Sequence, residues 1–241
     1  YEILTCDWSS DVCSSDLGEL RHYESPAHNA HVAVIAGDVT PATHAYYGGK
    51  PSGLSLQAHW FAQTFLPWVE TLPVDHVVMT WGNHDHLGEH PELYRSLVPV
   101  GHKLRILVNE SCVIDGVRFH GVPQTPRFYD WAFNEDDTAA GLGRFWKLVP
   151  TDTDVLISHG PPRGTVDWVG DARRGQRVGS DTQEAWLKSE DAPNLSVVIC
   201  GHIHAAGGHH GWCGRTRVEN VAIVNEAYRV VREPRVVEIA K

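Results

Sequence analysis

Four short runs of apolar, mostly β-branched residues each stop at a glycine that lies beside an aspartate, an asparagine or a histidine. His31–Ala36 ends at Gly37-Asp38. Val74–Thr80 ends at Trp81-Gly82 and continues as Asn83-His84-Asp85-His86. Asp154–Ser158 ends at His159-Gly160-Pro161-Pro162, and Val197–Cys200 ends at Gly201-His202-Ile203-His204. A short apolar run closed by glycine reads as a strand buried on both faces. Glycine permits the tight turn and the close backbone approach that such a strand end needs. Side chains at the carboxyl ends of neighbouring strands can converge on one crevice. Any one of these motifs is a weak signal, because a Gly-Asp pair is usually just a turn. The ordered set of four is far more specific.

Helical patterns separate the strands. Ser55–Leu72 carries Leu56, Trp60, Phe61, Phe65, Trp68, Val69 and Leu72 at helical spacing, with Pro67 expected to kink it or start a second turn. Pro91–Leu97 reads as a short helix. Ser180–Glu190 reads as another, and Ser180-Asp181-Thr182-Gln183 fits a capping box. Further strands are expected at Leu104–Val108, Cys112–Ile114, Val117–Phe119, Val221–Asn225 and Arg235–Ile239, with Asp115-Gly116 as a hairpin turn. Pro123–Val149 and Val166–Gly179 read as loops over this scaffold. No linker divides the chain. The alternation predicts an α/β sandwich of sheets and helices.

Composition removes several alternatives. Of 241 residues, 42% are hydrophobic and 21% charged, which excludes a disordered chain. A net charge of -10 without a basic stripe argues against a nucleic-acid-coating role. No apolar run approaches the ~18–20 residues that span a bilayer, so a membrane role is not expected. Sixteen histidines stand out, since imidazole is the commonest metal ligand.

Residues 1–17 are set apart. Tyr1–Leu17 resembles the translation of a widely used sequencing-library adapter, with only the index-encoded positions free. We therefore read 1–17 as an adapter artefact and 18–241 as the single native domain, truncated at its N-terminal strand. That leaves 224 residues with 26 acidic and 20 basic side chains, and three cysteines (Cys112, Cys200, Cys213) that suit a reducing cytoplasm.

The order Gly-Asp, Gly-Asn-His-Asp, His-Gly-Pro-Pro, Gly-His-x-His resembles the calcineurin-like metallophosphoesterase superfamily, across essentially all of 18–241. Within it, the motifs look most like the small bacterial enzymes, including relatives that cleave cyclic nucleotides. The resemblance implies a four-layer αββα sandwich of two mixed sheets flanked by helices. It also implies a site for two divalent metal ions, Mn, Fe or Zn, since the N/O donors include no thiolate. Carried over residue by residue, Asp38 would bridge both metals. Asn83, His159 and His202 would complete one shell, and His204 would bind the other metal. His84 would be the catalytic histidine beside the scissile bond, and Asp85 would orient it by accepting its other ring N–H. The implied reaction is hydrolysis of a small phosphomonoester or phosphodiester by a metal-activated hydroxide.

One family motif is missing. The family opens with a strand ending in Asp-x-His, and no Asp-x-His occurs in this chain. Asp16 of Ser15-Asp16-Leu17 mimics the aspartate, and Gly18 stands at or beside the histidine's place. Asp7, after Ile3-Leu4-Thr5-Cys6, also looks like a strand-end aspartate but falls in the adapter-like segment. The competing function is a non-catalytic scaffold that keeps the fold within a protein complex. A metallo-β-lactamase type of site is disfavoured, because its His-x-His-x-Asp-His run is absent. His209, His210 and Cys213 read as a solvated loop rather than a third metal site. Cys200 reads as core, and His86 and His90 as loop. Arg127, Tyr129, Trp131 and Arg163 lie in loops that border the expected crevice. There an arginine could pair with phosphate and an aromatic ring could stack on a base. Their plainer reading is as ordinary loop residues.

Overall fold

The computed structural model describes residues 2–6, 30–41 and 51–239. Its strands in chain order are β1 (Glu2–Cys6), β2 (Val32–Ile35), β3 (His76–Met79), β4 (Leu104–Ile106), β5 (Glu110–Ile114), β6 (Val117–Val122), β7 (Thr125–Pro126), β8 (Asn134–Glu135), β9 (Val155–Ser158), β10 (Trp168–Val169), β11 (Gln176–Arg177), β12 (Val197–Cys200), β13 (His210–Cys213), β14 (Thr216–Asn220) and β15 (Arg235–Glu238). The helices are α1 (Pro51–Trp60), α2 (Leu66–Thr71), α3 (Pro91–Leu97), α4 (Gly143–Trp146) and α5 (Asp181–Lys188).

Two mixed sheets form the centre. One has the order β15-β1-β2-β3-β4 and the other β13-β14-β12-β9-β6-β5. Strands β1 to β4 run parallel in the first, and β14, β12, β9 and β6 in the second, with antiparallel strands at the margins. The apolar runs are continuous because each strand buries both faces. Val32 and Val34 of β2 point to the layer between the sheets, where they meet Val155 and Ile157 of β9 and Val197 and Ile199 of β12. Ala33 and Ile35 point the other way, onto Phe61, Phe65 and Val69 of the helical layer. On the far side, Leu156 and Val198 pack with Trp146 and Leu187 of α4 and α5. The order is therefore helix, sheet, sheet, helix, as the family resemblance implies.

Pro67 stands in the first turn of α2, the second of the two expected outcomes. Helix α1 runs into α2 through a π-helical stretch at Phe61–Phe65, in which the Leu66 N–H donates to the Phe61 carbonyl five residues back. Proline cannot donate to its i−4 carbonyl and its ring crowds that carbonyl. Widening the preceding turn relieves the crowding and keeps the aromatic face on the core. The Ser180 cap forms as expected, with its side chain accepting from the Gln183 N–H. The return half of the box does not form. The Gln183 amide donates instead to Ser158, and Asp137 supplies acceptors for the Asp181 and Thr182 N–H groups.

The strand expected at Val221–Asn225 lies upstream, at Thr216–Asn220. Its partner β12 stops at Cys200, paired with Asn220, so the ladder ends there. Charge hid the true strand. Glu219 is fully buried, with Arg217 of its own strand beside it and Arg235 of the other sheet 3.1 Å away. Two further readings change. Pro123–Val149 and Val166–Gly179 are not bare loops, for they carry the two-stranded ladders β7-β8 and β10-β11 and the short α4.

Strand β1 lies in the adapter-like segment and was not expected in the fold. It stands between β15 and β2, with Ile3 opposite Val237 and Val32. An apolar, β-branched pentapeptide with Ile3 and Thr5 buried can fill that place. The pairing bears on geometry and not on the segment's origin. Asp16 and Gly18 lie outside the described residues. No helix of the described residues is long and apolar enough to cross a membrane.

Candidate metal centre

The four motifs meet at the carboxyl ends of β2 and β3 in one sheet and of β9 and β12 in the other. Asp38, His159 and His202 each bring a ligand atom within 4.8 Å of the others. Asn83 joins them through Oδ1, 2.9 Å from His159 Nε2. Asp38 Oδ2 lies 3.3 Å from the same nitrogen. Local backbone makes this approach possible. Asp38 and His202 both adopt left-handed conformations, at φ 55° and 65°, which turn their side chains back over the strand ends. At Gly82 there is no room for a side chain. A Cβ there would lie 2.2 Å from Asp38 Oδ1 and 2.6 Å from His159 Cε1.

The hydrogen bonds set the donor chemistry. His159 Nδ1 lies 2.7 Å from the Ala36 carbonyl, which can only accept, so Nδ1 carries the proton. A neutral His159 then presents its Nε2 lone pair to two oxygens, Asn83 Oδ1 and Asp38 Oδ2. Three acceptors facing one point fit a cation between them. Charge agrees. Burial alone would raise the Asp38 carboxyl. The neighbouring imidazoles of His159, His84 and His202 overcome it and hold the acid well below the usual range. Burial first, and the neighbouring imidazoles second, lower His202 to about 3, which keeps it neutral and able to ligate.

His84 stands at the edge of this group. Its Nε2 is 3.9 Å from Asp38 Oδ2, and its own N–H donates to Asp38 Oδ1 at 2.9 Å. Its carbonyl accepts from the Gln57 amide at 2.7 Å. The role expected for Asp85 is corrected. Its carboxylate accepts from the N–H groups of Gly82, Val39 and Thr40 and from the Thr40 hydroxyl, and the His84 ring is not among these donors. With four donors in place, Asp85 ties the turn after β3 to the turn after β2. Burial, then the charge of Asp38, pushes its carboxyl up to about 6 against those donors.

His204 is not part of the close cluster. It begins a short 3₁₀ turn, with its ring edge-on to Tyr228 at 5.0 Å, and with His202 it lines a cavity of about 670 Å³. Arg127 and Arg163 line the same cavity, each beside a carboxylate, Asp136 at 2.8 Å and Asp181 at 3.4 Å. Tyr129 is exposed at the loop tip, and Trp131 packs on His84 with ring centroids 4.1 Å apart. His209 faces the Ala206 and Gly207 carbonyls, and Cys213 the Glu184 carbonyl, so these residues do not converge. His86 and His90 stand beside Glu89 and Glu92, and Cys200 is core.

Sequence reasoning missed Gln57 and Asn220. Gln57 is fully buried and also accepts from the Leu87 N–H at 2.8 Å. The signal was present, because Gln57 shares a helix face with Trp60 and Phe61, and a lone amide on an apolar stripe needs specific partners. Asn220 donates to the carbonyls of Val166 and Ile203, and so anchors the turn that carries His202 and His204.

Comparison with known proteins accords with this geometry. The family model for calcineurin-like phosphoesterases matches residues 7–206. The chain belongs to the calcineurin-like phosphoesterase family. Human metallophosphoesterase domain-containing protein 1 is 29% identical over 229 residues, covering 86% of this chain and 64% of that protein. The UPF0046 protein K07C11.7 of Caenorhabditis elegans is 35% identical over 138 residues, covering 56% of this chain and 43% of its own length. The chain thus spans less than two thirds of these relatives. A solved structure with 17% identity superposes at a TM-score of 0.62, over 91% of this chain and 89% of that one, and shows the same fold.

Proposed function

We propose that this family member is a metal-dependent phosphoesterase that hydrolyses small phosphomonoesters or phosphodiesters, with cyclic nucleotides among the candidates. The convergence of Asp38, His159 and His202 with Asn83, next to His84, carries the reading. These four ligands would hold one divalent cation, and His204 would serve a second beside it. A bound cation there supplies Lewis-acid stabilisation of phosphoryl oxygens and lowers the pKa of water. The protein's own contribution is positional. Asp38 and the neutral imidazoles fix the charge of the site. His84, fixed through its backbone by Asp38 and Gln57, holds a ring nitrogen where it can give a proton to the leaving oxygen. The adjoining cavity, far larger than a phosphate, has room for the organic part of an ester against Phe128 and Tyr228. Cytoplasmic residence and residues 18–241 as the native unit belong to the same proposal.

The test is an assay of generic phosphomono- and diesters with Mn²⁺, on the chain and on its Gly18→His variant, which recreates the absent Asp-x-His with Asp16. Turnover is expected in both, and at least tenfold higher with the motif restored. No turnover in either at full metal occupancy would instead support the scaffold reading.

A further inference from the structure

The loop after β6 returns over the catalytic turn and is fastened to it in three places. The Ala132 N–H donates to the Asn83 carbonyl at 3.0 Å. The Phe133 N–H donates to Glu89 Oε1 at 3.1 Å, just past the turn. Between the strands of the β7-β8 ladder, the Trp131 indole packs on the His84 ring at 4.1 Å, tilted by 42°. The backbone of His84 is already fixed on both sides, by Asp38 and by Gln57. Its side chain still has two torsions to settle. Trp131 is half-buried and His84 only 6% exposed, so the indole both limits those torsions and keeps water from that side of the ring.

We propose that Trp131 is a positioning residue that acts through His84, holding the imidazole in the rotamer from which it reaches the leaving oxygen. The proposal rests on the hydrolytic reading above. A ring held by an aromatic face is preorganised for proton transfer. A misplacement of about 1 Å can cost ~10²-fold in rate. Trp131 therefore enters kcat rather than substrate affinity. Phe128 of this loop lines the cavity, whereas Trp131 packs on His84. That division separates ester binding from histidine placement within one loop.

Two readouts test this in the full chain. In the first, Trp131→Leu and Trp131→Phe are compared in steady-state turnover with Mn²⁺ and one phosphodiester. Trp131→Leu should lower kcat at least tenfold with KM within twofold, and Trp131→Phe should restore most of it. In the second, the His84 ring protons, assigned by NMR through loss in His84→Ala, should carry an upfield ring-current shift. That shift should vanish in Trp131→Leu and persist in Trp131→Phe. Far-UV circular dichroism and the thermal midpoint of each variant confirm folding. A tenfold rise in KM with kcat unchanged would make Trp131 a substrate contact and overturn the proposal. An unshifted His84 ring in the parent chain would overturn it too. If the ring shifts behave as expected and no variant turns over substrate, the placement of His84 stands and the hydrolytic reading fails.

Discussion

Replacing His84 with alanine should lower phosphoester turnover by about 10²–10⁴-fold, the usual contribution of a positioned acid–base group, and leave metal content nearly unchanged. The separation follows from which atoms do what. The two bonds that lock His84 into the turn use its backbone N–H and carbonyl, to Asp38 and Gln57. Both survive loss of the ring. The ring lies 3.9 Å from the Asp38 carboxylate, outside the group of Asp38, His159 and His202. Turnover with initial-rate kinetics and metal content by elemental analysis check the two halves. Unchanged turnover removes His84 from the reaction. Lost metal makes it a ligand instead.

Gly82→Ala should do the reverse damage, to the site's shape rather than to the proposed proton donor. Its Cβ would sit 2.2 Å from Asp38 Oδ1, 2.5 Å from the Asp38 N and 2.6 Å from His159 Cε1. None of these is the free end of a flexible chain, because Asp38 and His159 are both buried and hydrogen-bonded. Something must move, and overpacking of this kind costs about 1–3 kcal/mol. We expect a lower thermal midpoint and metal affinity at least tenfold weaker, both in one substitution. Calorimetry on the apo and Mn²⁺-loaded protein reads both. A variant that matches the parent in midpoint and affinity would mean that the strand ends do not meet as closely as described.

The layers of the fold were legible because strands buried on both faces leave continuous apolar runs, as in Val32–Ile35 and Val197–Cys200. Strand β14 was not, because Arg217 and Glu219 are charged and their ion pairs depend on Arg235 in a strand of the other sheet. No local pattern carries that partner. The strand-end motifs were legible as residue types in order, and the fold brings Asp38, Asn83, His159 and His202 of that proposed set together. The role of Asp85 was not, because proximity in sequence to His84 suggested a contact that the turn directs elsewhere. Three of its four donors come from Val39 and Thr40, more than forty positions away. Pro67 shows the same limit in a helix. Its chemistry forbids one hydrogen bond but does not say whether the chain kinks or widens into a π turn.

Asp38, Asn83, His159 and His202 are proposed to hold one divalent cation together. Divalent-ion titration of the metal-stripped full chain, followed by calorimetry and compared with His202→Ala, tests this most directly. Tight binding of Mn²⁺ or Zn²⁺ by the parent, lost by at least a hundredfold in the variant with its fold intact, is the predicted result. Equal affinity and stoichiometry in both proteins would contradict it.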